Sequence, residues 1–350
     1  MKNNEPLVLI LCGGQSLRLW PLSEYKSKNF LDIFGFSPLE FTIKRFLKIA
    51  PPENIFLVTN CREKGLISKM NLVKKENIFC EQQSKNTAAA ILLSLFYLKE
   101  KFAQDKVLII SPVDHLIKQE KQFYSAVNNA VKVSEGGWIC TLGLKPIQPT
   151  PSFGYIQIEK EIAKGVFSIK RFVEKPTRLQ AQEFIRKGDS FYNSGMFISP
   201  LSLLDREYKK YYPHYVDFVN IFRKTSCPAE KNINFIYKKI ENIPFDRAIM
   251  EKTVRMRLIK GEFFWRDFGN WHAIYEVLNK DNSGNVRKGN VFIYNAENNL
   301  AYLDDKKKKV LIMGLKDIFF VDTGKFVMLT HRHYLDNLKS ALKEFKAKAK

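Results

Sequence analysis

Two glycines, Gly13-Gly14, end the apolar run Leu7–Leu11 just past Cys12, and Arg18 and Lys28 come after them; no other segment of this 350-residue chain is so well suited to holding phosphate. Without a Cβ, the backbone at Gly13-Gly14 can come close to a bound group. The amides that follow can cradle phosphate oxygens, and the two cations can neutralise them. A tight turn that binds nothing is the equally simple reading of the same pair. The chain has no Walker A pattern and no G-x-G, which excludes the P-loop and dinucleotide-binding fingerprints. It also has no Ser-His-Asp or Cys-His signature of a covalent nucleophile. Asp114, just past Pro112, reads as a helix N-cap, and the lone His115 as structural. His331 and His333 alternate as H-x-H, which suits a metal on one strand face, but no third ligand lies nearby.

The elements that must position these residues follow from hydrophobic period. Leu7–Leu11, Ile55–Val58, Val107–Ser111 and Trp138–Gly143 read as strands. Phe41–Ile49, Ala88–Lys99 and Phe123–Val133 read as helices, the second introduced by Asn86-Thr87 as a capping signal. This alternation predicts a parallel sheet covered by helices, with ligands at the carboxyl ends of its strands. The loops Gly13–Trp20, Lys85–Thr87 and Pro112–His115 fall at such ends. From Asn285 the texture changes. Asn290–Tyr294, Leu300–Leu303, Val310–Met313, Ile318–Val321 and Phe326–Leu329 are short strands between turn residues, a small all-β appendage such as a solenoid or barrel. The tail, with Leu335, Leu338, Leu342 and Phe345 on one side and lysines elsewhere, reads as an amphipathic helix.

Composition bounds the function classes. With 45% hydrophobic and 27% charged residues, the chain can build a core and is not a disordered polymer. No apolar run reaches the roughly 18–20 residues of a membrane span. The five cysteines are odd in number and scattered, with no C-x-x-C pair. They argue against a disulfide framework or structural zinc and place the chain in a reducing cytoplasm. The formal charge of +21 comes from dispersed lysines; it would suit a polyanionic small molecule such as a nucleotide. No interleaving of aromatic and basic residues and no recognition helix supports a nucleic-acid partner.

The segment from Leu7 to Phe34 resembles the signature loop of the sugar-1-phosphate nucleotidyltransferases, and most of all their mannose-1-phosphate guanylyltransferase branch. That loop reads roughly G-G-x-G-T-R-L-W-P-L-S, then P-K-Q-F-L. Gly13, Gly14, Arg18 to Ser23, Lys28, Phe30 and Leu31 match it. Further matches follow in chain order. Lys85 to Ile91 is similar to R-N-T-A-P-A-I, and Pro112 to Ile117 to P-A-D-H-x-I. Phe153 to Ile156 is similar to G-Y-G-Y-I, Phe172 to Pro176 to F-V-E-K-P, and Asn193 to Phe197 to N-S-G-M-F. Asp246 to Lys252 and Trp265 to Trp271 complete the series.

The resemblance implies a mixed, mostly parallel, Rossmann-like α/β sheet sandwich with a small C-terminal left-handed β-helix. The domains would be 1–282, catalytic, and 283–350, the β-helix with its terminal helix. It implies transfer from GTP to mannose 1-phosphate with Mg²⁺ held by Asp114 and Asp267. Arg18 and Lys28 would act on the triphosphate as catalytic residues. Gly13, Gly14, Glu81, Asn86 and Thr87 would bind the nucleotide; Gly154, Glu174, Lys175 and Asn193 would bind the sugar phosphate. Left to themselves, Glu174-Lys175 reads as a surface ion pair, Asn193 as a turn residue, and Trp265 and Trp271 as core. The chain departs from the family at Ser16-Leu17, which replace Gly-Thr. The stretch from Ser23 to Lys28 is also short, which makes Lys26 a rival of Lys28. Lys85 stands where an arginine is usual, and Pro151-Ser152-Phe153 where Thr-Gly-Tyr is. Three other readings stay open: another nucleotide or sugar, a non-catalytic nucleotide-sugar-binding homologue, and a homo-oligomer. A chain ending at Lys350 is expected to lack the isomerase domain of the bifunctional relatives.

Overall fold

The computed structural model describes residues 5–14, 17–25, 27–31, 35, 37–224 and 230–348. Ser16, Lys26 and Cys227 lie outside the described residues. Among those described, no helix is long and apolar enough to cross a membrane.

The chain divides into two compact units. The first comprises residues 1–14, 42–113 and 117–265, and the second residues 15–41, 114–116 and 266–350. A linear cut at 282/283 does not describe this grouping, because the loop after the glycines belongs with the C-terminal third. Hydrophobic packing explains why. Leu19, Trp20, Leu22 and Leu31 share one core with Phe268, Trp271, Leu300 and Phe319, and the Trp271 indole N–H donates to the Trp20 carbonyl at 2.9 Å.

The first unit is built on nine strands: β1 (Leu7–Leu11), β2 (Ile55–Asn60), β3 (Ile78–Glu81), β4 (Val107–Pro112), β6 (Ile139–Leu144), β7 (Tyr155–Ala163), β8 (Val166–Val173), β9 (Ser190–Pro200) and β10 (Met256–Gly261). Their order is β3-β2-β1-β4-β9-β6-β10-β8-β7. The short β5 (His115–Ile117) pairs separately with β11 (Trp265–Asp267). Leu7, Val8, Leu9 and Ile10 are all fully buried, as expected of a central parallel strand covered on both faces. The helix Asn86–Lys101 lays Ala88 to Leu93 into the same core.

The sheet is mixed, as expected, and most of its strands point one way. β3, β2, β1 and β4 are mutually parallel, whereas β9 runs antiparallel to β4, β6 and β7. β7 and β8 form an antiparallel hairpin joined at a tight turn. β10 is parallel to β6, so β6, β7 and β10 share the direction of β1–β4; seven of the nine strands run one way, and β8 and β9 oppose them. The parallel strands β1–β4 bring Gly13-Gly14, Glu81 and Pro112 to one edge, at the carboxyl ends of β1, β3 and β4.

Three smaller expectations also shift. The first helix spans Pro38–Phe46 instead of Phe41–Ile49. Asn86 does not cap its helix: it begins the helix with φ +68°, and its own Oδ1 accepts from Thr87 N at 3.0 Å. Cys61 and Cys80 form a disulfide, which the scattered cysteine pattern did not suggest. The register supplies the reason: Thr59 faces Cys80 across parallel strands. Cys61, two residues on, then lies 5.2 Å away Cα to Cα, inside the range a disulfide spans.

In the second unit, β12 (Val286–Lys288), β14 (Leu300–Leu303) and β16 (Ile318–Asp322) stack in parallel, as do β13 (Val291–Tyr294) and β15 (Val310–Met313). This is the winding of a β-helix, and β17 (Val327–His331) closes it antiparallel to β16. Buried asparagines mark successive turns. Asn299 Nδ2 donates to Asn285 Oδ1 at 3.0 Å, and Asn285 Nδ2 donates to the Ala296 carbonyl at 2.8 Å. These bonds satisfy corner backbone that the strands leave unpaired. The last segment is a 3-10 stretch, Arg332–Asn337, followed by the helix Leu338–Lys348.

Candidate active site

The second unit gathers the phosphate and metal candidates. The 3-10 turn Leu17–Leu19 carries Arg18, and the turn Lys28–Phe30, N-capped by the Ser27 hydroxyl, carries Lys28. The Lys28 ammonium donates to Asp114 Oδ2. Asp114 is therefore an ion-pair partner and not a helix N-cap; β5 follows it. The Phe268 amide donates to the Asp114 carbonyl at 2.8 Å, which fixes Asp267 beside Asp114. The Gly269 amide donates to Asp267 Oδ1, also at 2.8 Å.

Gly269 shows how tightly these groups converge. A Cβ there would sit 2.8 Å from Asp267 Oδ1, 3.3 Å from Arg18 Nη2 and 3.5 Å from Asp114 Oδ2. Two carboxylates and the Arg18 guanidinium thus crowd one glycine, and Lys28 joins them through Asp114. Burial and the charge of Asp114 push the Asp267 carboxyl up to about 6. Burial opposes ionisation of Asp114 as well, yet the Lys28 ammonium beside it holds it well below the usual carboxylate range. Burial would lower the Lys28 ammonium, but Asp114 and Asp267 outweigh it and raise the group. Among the described residues, no cluster of three or more His, Cys, Asp or Glu could hold a metal ion. The Asp114–Asp267 pair fits a cation whose remaining ligands come from phosphate and water, as Mg²⁺ prefers. A cation there would also relieve the repulsion that raises Asp267. His331 is no ligand: its Nδ1 accepts from the His333 amide at 3.2 Å and caps the 3-10 stretch.

Within the first unit, two further groups form. At the edge shared by β1 and β3, Glu81 is buried. Tyr237 Oη donates to its Oε1 at 3.0 Å, and its Oε2 lies 3.4 Å from where a Gly13 Cβ would be. Burial pushes this carboxyl up to about 8. Gly14, with φ +106°, takes a backbone conformation that side chains rarely adopt. Thr87 Oγ1 accepts from the Phe245 amide at 2.8 Å, and Lys85 Nζ donates to the Ile240 carbonyl at 3.0 Å. These two residues anchor the chain on either side of Asn86, which is itself exposed.

The other group centres on Asn193, buried on β9. Its amide N donates to the Gly154 carbonyl at 2.8 Å. Its Oδ1 accepts from Thr141 Oγ1 at 3.1 Å, and its Nδ2 donates to Asp246 Oδ1 at 2.8 Å. A Cβ on Gly154 would lie 2.7 Å from Glu174 Oε2, so only glycine leaves that carboxylate in place. Glu174 pairs with Lys175 at 3.0 Å, and its amide donates to Glu251 Oε1 at 2.8 Å. Burial and the charge of Glu174 push Asp246 up to about 7.

Asn193 is thus no mere turn residue, and Glu174-Lys175 is an ion pair whose acidic half is nearly enclosed. Sequence reasoning missed Asp246, Glu251, Tyr237 and Gly269 as parts of these groups. The stretches around Asp246 and Gly269 resemble family segments, but nothing in their spacing revealed a role. Trp265 and Trp271 are core, as their size suggests.

Residues 7–284 match the nucleotidyl transferase family. The mannose-1-phosphate guanylyltransferase of Escherichia coli is 30% identical over 353 residues, covering 96% of this chain and 75% of that protein. The alginate biosynthesis protein AlgA of Pseudomonas aeruginosa is 31% identical, covering 98% and 72%. The crystal structure of a Thermus thermophilus protein, named as a mannose-1-phosphate geranyltransferase, superposes with a TM-score of 0.86 at 25% identity and covers 98% and 99%. The glycine-following cations, the paired aspartates and the match across most of the sequence lead to one assignment: this chain belongs to the nucleotidyl transferase family.

Proposed function

We propose that the protein transfers the guanylyl group of GTP to mannose 1-phosphate, giving GDP-mannose and pyrophosphate. The single observation that carries the chemistry is the convergence of Asp114, Asp267, Arg18 and Lys28 around Gly269. The choice of substrates rests on relatives named as mannose-1-phosphate guanylyltransferases at about 30% identity over nearly the whole chain.

In this reading an oxygen of the sugar phosphate attacks the α-phosphorus in line. The bond from the α-phosphorus to its bridging oxygen breaks, and pyrophosphate leaves with the electron pair. The nucleophile is already an anion, so no general base is needed. Arg18 and Lys28 hold the leaving phosphates and stabilise the charge that develops on them. Asp114 and Asp267 would hold Mg²⁺, which when bound neutralises the triphosphate. Gly13 and Gly14 admit the nucleotide backbone to the edge of the sheet. Glu81, Asn86 and Thr87 face its base and ribose, and an ionised Glu81 would accept from the N1–H and N2–H donors on one edge of guanine. Asn193, oriented by Thr141 and Asp246, turns its second N–H toward a sugar hydroxyl, and Glu174 accepts from another beside Gly154. Lys175 meets the sugar's phosphate. The left-handed winding of the β-helix and a cytoplasmic location complete the reading; there the Cys61–Cys80 pair would be reduced.

The test is pyrophosphate release from GTP, ATP, UTP and dTTP against several sugar 1-phosphates. Preference for GTP with mannose 1-phosphate is expected. Preference for UTP or glucose 1-phosphate would overturn the substrate assignment. Tight GDP-mannose binding without turnover would identify a non-catalytic homologue.

A further inference from the structure

Cys61 and Cys80 differ from the other described cysteines. Cys12 and Cys140 are buried thiols, whereas Cys61 is exposed and Cys80 only partly covered. Cys61 opens the helix Cys61–Lys69, and the start of that helix is fixed by Asn60, whose Oδ1 accepts from the Glu63 amide at 3.0 Å. Cysteines at a helix N-terminus and beside basic residues react through the thiolate more readily than others, and Arg62 and Lys64 follow directly. Exposed disulfides are the ones that thiols in solution can reach and open.

The bond also sits where it can act. β3 is the edge strand of the nine-stranded sheet and only four residues long, and Glu81 ends it opposite Asn60. The Cys61–Cys80 link ties the chain one residue before Glu81 to the carboxyl end of β2. Cys61 Sγ lies 3.5 Å from the Glu81 carbonyl oxygen. The Glu81 side chain is the buried carboxyl that accepts from Tyr237 and approaches Gly13. All of these residues belong to the first unit.

We propose that Cys61 and Cys80 form a thiol–disulfide exchange site whose state sets nucleotide affinity through Glu81. The oxidant is a low-molecular-weight disulfide such as oxidised glutathione. The Cys61 thiolate attacks one of its sulfurs, which forms a mixed disulfide and releases one glutathione thiolate. The Cys80 thiolate then attacks Cys61 Sγ, which closes the protein disulfide and releases the second. Two protein thiols are oxidised, one glutathione disulfide is reduced, and the two protons pass to the released thiolates. Excess reduced glutathione runs both steps backward. The dithiol is the form expected in a reducing compartment, and the disulfide is the form that holds the end of β3 in place. The effect on nucleotide rests on the proposed role of Glu81 at the base; the exchange chemistry does not.

The test equilibrates the full chain in glutathione buffers of graded oxidation, traps thiols by alkylation and identifies linked peptides by mass spectrometry. A Cys61–Cys80 link that forms and reverses with the buffer is expected, with Cys12 and Cys140 remaining thiols. Oxidation should raise the thermal midpoint by about 5 °C, since it closes a loop between residues 19 apart. KM for GTP should be about fivefold lower in the disulfide form, a modest coupling, while KM for mannose 1-phosphate stays the same. Cys61→Ser and Cys80→Ser should each keep the KM of the dithiol in every buffer, with an unchanged circular dichroism spectrum as the control for folding. If the chain turns over no GTP, equilibrium titration of nucleotides onto the two forms reads the same coupling, so failure of the substrate assignment is told apart from failure of the exchange site. Two thiols at every buffer ratio, or a glutathione adduct on Cys61 that never resolves onto Cys80, overturns the proposal. So does a reversible link that leaves nucleotide affinity unchanged.

Discussion

Glu81→Gln removes the ionisable proton from the most strongly perturbed carboxyl of the first unit while keeping an oxygen for the Tyr237 hydroxyl. Burial raises the folded-state value from 4.5 to about 8, so the folded protein binds this proton more tightly than the unfolded chain does. Stability from this group is therefore greatest at low pH and is lost as pH rises through about 8. At about 1.36 kcal/mol per pK unit, the loss between pH 6 and pH 9 is about 3 kcal/mol, to order of magnitude. The measurement is urea unfolding of wild type and variant at both pH values, following the transition of the first unit. Wild type should lose about 3 kcal/mol more than Glu81→Gln over that interval. The comparison cancels Asp246 and Asp267, whose raised values act in the same direction. The same titration should appear in ligand binding. If an ionised Glu81 accepts from guanine, GTP affinity rises with pH toward 8, and the variant loses both the affinity and its pH dependence. Parallel stability profiles for the two proteins would refute the argument that burial governs this carboxyl.

Asp114→Asn and Asp267→Asn should each lower kcat by about a hundredfold or more, with the loss only partly recovered at high Mg²⁺, as checked by pyrophosphate release. Gly269→Ala keeps an ordinary backbone but pushes a methyl to 2.8 Å from Asp267 Oδ1; kcat should fall at least tenfold while the thermal midpoint moves by only a few degrees. Asp246→Ala removes the acceptor that orients the Asn193 amide, so KM for mannose 1-phosphate should rise while KM for GTP stays near wild type. With Asp267 at about 6 before a cation binds, Mg²⁺ affinity should weaken as pH falls below 6, which isothermal titration across pH 5–8 would register.

Local chemistry made part of this protein legible in its amino-acid order. Leu7–Leu11 is uniformly apolar because it is covered on both sides, and Gly13-Gly14 ends it visibly. The short strands beyond Asn285 announce themselves through regular turn residues, apart from β12, which is only three residues long. Arg18 and Lys28 stand out by their place after the glycines, whereas Asp114, Asp267 and Asn193 gain a role only through resemblance. Spacing would not have found them, because residues 86 positions apart, like Lys28 and Asp114, share no local signal.

Tertiary structure alone decided the rest. The antiparallel pairings of the sheet depend on the reversed direction of β8 and β9, and hydrophobic period carries no information about direction. The glycine-following loop joins the C-terminal core because Trp20 and Trp271 meet there, 251 residues apart. Whether a carboxyl stands free or is raised to about 6, 7 or 8 depends on burial and on neighbours from distant segments. The apolar outer face of β13 and β15 reads in sequence as ordinary strand, since both faces of the pair are hydrophobic. Only the folded chain shows which of those faces is left uncovered.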